Sequence, residues 1–209
     1  MPMHYEVLDE KRRALLPALG AFKKDFYLAG GTALALQIGH RISIDFDFFT
    51  EGDFETAVLY ERVQAALGPV PRTQEASRTL GIIAQDDVRM SFLGYAYPLL
   101  EPCVETEYLR LASLLDIGCM KLGAIVSRAE LKDYVDLFFI LSRVTLLDLI
   151  SGLAKKTPTL DRNLVLKALV SFEDVAQDPV DFTTGSAVTF DDIRAAIVEK
   201  VRALPLGVR

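Results

Sequence analysis

Among its 209 residues the chain has only two histidines and two cysteines, and neither pair is arranged for chemistry. His4 and His40 supply no triad for a serine or cysteine nucleophile and no ligand cluster for zinc. A G-x-S-x-G turn is also missing, which argues against the serine, cysteine and zinc hydrolase classes. Cys103 and Cys119 stand in neither metal nor redox spacing, and read as buried free thiols of a reducing compartment. No apolar run is both long enough and free enough of charge to cross a bilayer. Glu6, Asp9 and Glu10 ahead of Lys11 do not pattern as a signal or transit peptide. The expectation is a cytoplasmic protein with no membrane partner. A basic excess is absent too: 23 Lys and Arg face 29 Asp and Glu, a net charge of −6. That argues against a broad nucleic-acid surface and leaves room only for a local basic contact.

What is present is ordinary globular composition, 51% apolar and 25% charged, without repeats or low-complexity stretches. Apolar spacing predicts a first helix over 5–19, disturbed near its end by Pro17, and a short strand over 26–29. Residues 32–37 are strong helix formers, stopped by Gly39 and His40. Residues 42–49 alternate, with Ile44, Phe46 and Phe48 on one face and Ser43, Asp45, Asp47 and Phe49 on the other. Asp53 can cap a helix over 54–66 that ends at Gly68-Pro69, and 80–84 with 88–95 form a hairpin around Asp86-Asp87. Tyr108 to Leu111 closes the strand-rich part. After it, Ser113 to Asp116 and Ser127 to Glu130 read as capping boxes for two helices, and Asp161 and Thr189 as caps for two more. The fold class is therefore α+β, a mixed sheet flanked by helices and followed by a helical C-terminal region, with a boundary expected at 112/113.

Four groups of residues carry chemical potential. Asp45 and Asp47 share one face of a strand, about 7 Å apart at the backbone, among Ile44, Phe46, Phe48 and Phe49. Two like charges on a half-buried surface repel and lose hydration unless a cation neutralises them. Hard oxygen donors at this spacing suit Mg²⁺, which keeps water and substrate phosphates as further ligands; the alternative is a solvent-facing edge strand. Second, the strand–Gly30-Gly31-Thr32–helix connection offers amide groups at a helix N-terminus, where phosphate binds. It is neither a Walker loop nor a dinucleotide fingerprint, and a plain turn is the alternative. Third, Lys121 lies in the apolar run 118–125 and needs an anion, unless it snorkels to solvent; Asp116 is taken up by its cap. Fourth, Asp133 and Asp136 lie three apart on one helix face. Asp136 either completes a metal site or binds Lys121, and a surface pair with Lys132 is the alternative.

The stretch Leu28-Ala-Gly-Gly-Thr-Ala-Leu-Ala-Leu-Gln-Ile-Gly-His-Arg-Ile-Ser-Ile-Asp-Phe-Asp-Phe-Phe49, with Lys121-Leu-Gly-Ala-Ile-Val-Ser-Arg128 and Lys132-Asp-Tyr-Val-Asp-Leu137, resembles the AbiEii/AbiGii toxin family. This is a minimal nucleotidyltransferase branch of the DNA polymerase β-like superfamily, and the resemblance covers about residues 26–140. It implies a nucleotidyltransferase core over 1–112 and a helical region over 113–209 that completes the active site. It implies that Asp45 and Asp47 ligate Mg²⁺, as two ions, and that Gly30, Gly31 and Thr32 hold the phosphates of an NTP. Lys121 matches the family lysine that contacts the triphosphate. Asp136 matches a later helix acid, with Asp133 as its alternate, and Arg41 meets either a phosphate or a turn. His40 reads as structural. One departure stands out: the wider superfamily often carries a third carboxylate on a neighbouring strand, and here 88–93 offers Ser91.

The activity implied is transfer of an NMP from an NTP to an acceptor hydroxyl. By resemblance the acceptor is an RNA, at a tRNA 3′ end, and the setting a toxin–antitoxin or phage-defence pair with a cognate antitoxin protein. Two other functions compete. One is a nucleotidyltransferase for a small acceptor, an aminoglycoside-like compound or a metabolite; the other is a catalytically degenerate nucleotide-binding member.

Overall fold

In the computed structural model, residues 2–176 and 178–205 are described, and the chain divides into two compact units, 1–113 and 114–209. The first is built on a mixed sheet. Its strands are β1 (Tyr27–Ala29), β2 (Phe46–Thr50), β3 (Arg72–Ala76), β4 (Thr79–Ala84), β5 (Val88–Gly94), β6 (Val104–Glu105) and β7 (Arg110–Leu111). Their order across the sheet is β3-β4-β5-β2-β1-β7-β6. β2 runs antiparallel to β1 and parallel to β5, and β1 runs parallel to β7. Three helices accompany it: α1 (Glu10–Leu19), α2 (Gly30–Ile38) and α3 (Thr56–Leu67).

Alternation decides which side of the sheet is core. Phe46, Phe48, Phe92, Leu80 and Leu28 are fully buried, and the Phe48 and Phe92 rings stack with centroids 5.0 Å apart. Phe22 and Phe26, which precede β1, close edge-on over Phe92. Each ring buried this way contributes about 1.5–3 kcal/mol.

Several local expectations change. β2 begins at Phe46, so Ser43, Ile44 and Asp45 form an irregular approach to it, and Ile44 is 55% exposed instead of packed inward. Its carbonyl instead accepts a 2.6 Å hydrogen bond from Arg12 Nε. α2 starts at Gly30 itself, directly after β1. The residue before α3 is Glu55, while Asp53 stays exposed and pairs with Arg78 at 3.1 Å. Pro17 lies inside α1, which Asp9 caps through Arg12 N. The β4–β5 hairpin around 85–87 is as expected, but β3 pairs outside it as an edge strand. Cys119 is buried, whereas Cys103 is only partly so.

The second unit consists of α4 (Leu114–Arg128), α5 (Leu131–Ile140), α6 (Leu146–Lys156), α7 (Arg162–Val170) and α8 (Phe190–Arg202). α4 packs against α5, α6 and α7, and α8 against α5 and α7. At Gly118 a side chain would collide with Leu149, so the missing Cβ is what lets α6 lie this close to α4. Asp161 caps α7, and Thr189 with Asp192 forms a full capping box on α8. The box expected at Ser127 does not form. Ser127 is inside α4, bonded to the Ala124 carbonyl, and Glu130 precedes α5 without a side-chain cap. α6, capped by Thr145, separates what the sequence pattern left as a gap.

Candidate active site

Within the sheet unit the chemistry gathers where β1 turns into α2. The antiparallel register sets Ala29 opposite Asp47, so the glycine turn that follows Ala29 lies beside that carboxylate. Gly30 has φ +69°, a left-handed conformation that favours glycine, and a Cβ there would sit 3.3 Å from Asp47 Oδ2. Gly31 is equally constrained: a Cβ would collide with the Arg41 guanidinium and lie 3.0 Å from Ser43 Oγ. Ala29 provides no side-chain cap for α2, so the first amides of the helix, at the positive end of its dipole, donate no hydrogen bond to that residue's side chain.

Thr32 is buried, and its hydroxyl binds the Asp45 carbonyl oxygen and shares a 2.8 Å hydrogen bond with Ser43 Oγ. One side chain of α2 thereby fixes the irregular segment that carries Asp45. Ser43 is the partner that sequence reading missed; its only signal was its place on the same face as Asp45 and Asp47. Arg41 is 7% exposed, with Nη1 donating to the Ile42 carbonyl at 3.0 Å and the rest of the guanidinium against Gly31. His40, 1% exposed, is buried in the same turn.

Asp45 and Asp47 are half-buried, and the Asp45 carboxylate meets no hydrogen-bond or ion-pair partner among the described residues. The parallel register pairs Asp47 with Ser91, so the neighbouring strand places a hydroxyl where a third carboxylate would stand. Among the described residues no three His, Cys, Asp or Glu side chains converge as a metal cage. A pair of hard oxygen donors fits Mg²⁺ that takes its other ligands from water and substrate phosphates.

In the helical unit the charged residues are satisfied differently. Lys121 on α4 is buried, its Nζ 2.7 Å from Asp133 Oδ1 and 2.5 Å from Asp136 Oδ2. Asp133 also accepts two hydrogen bonds from Arg128, at 2.8 and 3.0 Å. Burial pushes the Asp133 carboxyl up, but Arg128 and Lys121 outweigh it and hold it below its ordinary value. Burial, aided by Asp133, pushes Tyr134 up to about 12. Lys132 pairs with Glu130 at 2.8 Å rather than with Asp136. Asp116 has Lys156 2.7 Å away, both fully buried, an ion pair that reading Asp116 as a cap had not foreseen.

A family described as nucleotidyl transferase AbiEii toxin, type IV TA system, matches residues 13–96, the stretch holding the glycine turn and both aspartates. An uncharacterised protein of Aquifex aeolicus is 38% identical over 177 residues, covering 81% of this chain and 84% of its own. The chain belongs to the AbiEii nucleotidyltransferase family. Solved structures agree at the level of fold. MenT4, a nucleotidyltransferase toxin of Mycobacterium tuberculosis, superposes with a TM-score of 0.63 at 17% identity, covering 94% of this chain and 84% of that one. JHP933 from Helicobacter pylori gives 0.58 at 18%, covering 93% and 92%. Among the described residues of this family member, no helix is long and apolar enough to cross a membrane.

Proposed function

We propose that the protein transfers an NMP from an NTP to a hydroxyl of an RNA, at a tRNA 3′ end, as the toxin of a cytoplasmic pair with a cognate antitoxin. The observation that carries the reading is the register of Ala29 with Asp47, which sets phosphate-binding amides beside a metal-type carboxylate. The acceptor hydroxyl attacks the α-phosphorus and releases its proton to solvent; a new O–P bond forms, the α–β bridging bond breaks, and pyrophosphate leaves. The amides of Gly30, Gly31 and Thr32 hold the phosphates, and Arg41 adds positive charge against Gly31. Asp45 and Asp47 are the residues that would hold Mg²⁺, in two ions, whose Lewis acidity lowers the charge barrier at the reacting oxygens when bound. Thr32 keeps Asp45 in place through the backbone. The family pattern alone would give Lys121 a contact with the triphosphate; within the helical unit its ammonium is held by Asp133 and Asp136.

A second reading is a small-molecule acceptor, favoured by charge: the sheet unit carries 11 Lys and Arg against 16 Asp and Glu. Label transfer from four α-labelled NTPs, with Mg²⁺ and total tRNA, separates the readings. Label on tRNA with wild type and none with Asp45→Asn is expected. Equal labelling by Asp45→Asn would end the proposal. Label released only with a small acceptor would select the second reading, and NTP binding without pyrophosphate release a degenerate member.

A further inference from the structure

On the face of the sheet that carries Asp47, a row of aromatic rings begins one step further along β2. Phe49 shares that face by the two-residue period of a strand, about 7 Å from Asp47. Tyr27 is its partner across the β1–β2 register, and the two rings stack with centroids 6.0 Å apart. On the other side, Leu93 is level with Phe49 on β5, so Tyr95, two residues on, returns to the same face. Tyr95 extends the ladder, its amide donating to the Thr50 carbonyl at 2.8 Å. Its ring meets Phe49 edge-on at 5.8 Å, and Tyr97 meets Tyr95 at 5.0 Å.

The row grades outward. Tyr27 is 4% exposed, Phe49 and Tyr95 are half-buried, and Tyr97 is 37% exposed. Core packing accounts for the inner end but not for three tyrosine and phenylalanine rings left partly open beside a charged site. Direction adds to this. Gly30 lies at the Asp47 end of the β1–β2 pair and Phe49 lies away from it. A nucleotide with its phosphates on the glycine turn and its α-phosphate at Asp47 therefore runs its sugar and base along β2 toward Phe49. Aromatic rings are the usual platform for a base, because every base has a π-face.

We infer that Phe49, Tyr95 and Tyr97 form a stacking platform for the planar heterocycle of a nucleotide bound at Asp47. This rests on the nucleotidyl-transfer reading above. The heterocycle belongs either to the NTP or to the terminal nucleotide of the RNA acceptor. Stacking tolerates any base, so this platform supplies affinity with little discrimination.

The chain has no tryptophan, so Tyr97→Trp introduces a single indole that keeps a ring at that position. NTP with Mg²⁺ is expected to quench its fluorescence, and tripolyphosphate with Mg²⁺ to leave it unchanged. Tyr95→Leu and Tyr97→Ala are expected to weaken NTP binding about tenfold, with tripolyphosphate affinity unaltered and recovery in Tyr95→Phe. If those variants instead raise the KM for RNA alone, the stacked base is the acceptor's. Wild-type affinities for both NTP and RNA in the two variants, with labelling intact, would overturn the platform while leaving the transfer reading standing. Wild type that binds neither NTP nor tripolyphosphate would overturn both.

Discussion

The two units treat buried charge in opposite ways. In the helical unit each fully buried acid has a basic partner: Asp133 and Asp136 hold Lys121, and Asp116 holds Lys156. In the sheet unit Asp45 and Asp47 are half-open side by side, next to a turn in which side chains are excluded by Asp47 and Arg41. Charge neutralised within the fold is structural, because desolvation must be offset at every moment the chain is folded. In the sheet unit the Asp45 carboxylate meets no hydrogen-bond or ion-pair partner among the described residues, and in the proposed function its charge is neutralised when a cation and a phosphate arrive. Net charge repeats the contrast, at 12 Lys and Arg against 13 Asp and Glu in the helical unit and 11 against 16 in the sheet unit.

The largest effect on folding should come from breaking the matched set. Lys156→Met leaves Asp116 buried without its ammonium and is expected to destabilise the protein by about 3–5 kcal/mol. Adding Asp116→Leu should restore most of that loss, since an apolar pair of similar volume replaces the ion pair. Urea unfolding of the two singles and the double measures the coupling. Additive losses would show that the pair is not the unit that matters.

Acid should expose the same arrangement. Asp133 is held below its ordinary carboxylate value, so the unfolded chain binds its proton first as pH falls. Its contribution is therefore full above about pH 4 and lost as pH drops further toward the folded value. The urea midpoint of wild type should fall below pH 4 more steeply than that of Asp133→Asn. The variant starts less stable, because Lys121 and Arg128 lose a charged partner, so the slope is the quantity to compare. Parallel acid limbs would place the acid sensitivity elsewhere.

Much of the site was legible in sequence because it is local. The glycine turn, Asp47 and the caps at Asp161 and Thr189 are each fixed within a few residues, where period and cap chemistry speak directly, whereas Asp45 lies ahead of β2 and is held by Thr32, 13 residues away. What escaped depends on distant partners or on a missing pattern. β3 has five exposed residues, Arg-Thr-Gln-Glu-Ala, with no apolar alternation to read, and is a strand only because β4 offers an edge. Ile44 fits the alternation but leaves it, because Thr32 and Arg12 hold the carbonyls of Asp45 and Ile44 outside the ladder. Ser127 to Glu130 has the letters of a capping box, yet α4 continues through Ser127 to Arg128. The Asp116–Lys156 pair joins residues 40 positions apart, and no local rule connects them.

A smaller loss is expected at Thr32, inside the sheet unit. Thr32→Val keeps shape but removes the hydroxyl that binds the Asp45 carbonyl and Ser43. Leaving those acceptors without a donor should cost about 1–3 kcal/mol. Labelling activity should fall further than stability explains, because the freed segment carries Asp45. Labelling that tracks the folded fraction alone would make Thr32 purely structural.

The smallest change in stability is expected at Asp45, which the proposed function places at the centre of transfer. Asp45→Asn removes one of two neighbouring like charges and breaks no hydrogen bond or ion pair made by that carboxylate among the described residues. Without ligand its unfolding free energy should lie within about 0.5 kcal/mol of wild type, with any change toward greater stability. Ligand should separate the two proteins. At a hundredfold excess over its Kd, Mg²⁺ with a non-hydrolysable NTP should stabilise wild type by about 2.7 kcal/mol, and Asp45→Asn by far less. Because Ser91 stands where a third carboxylate would complete the metal's ligands, Mg²⁺ alone should stabilise neither. A large stabilisation by Mg²⁺ alone would mean that the two aspartates already form a closed cation site. The contrast between charge matched by the fold and charge matched by substrate would then fail at the residue on which it depends.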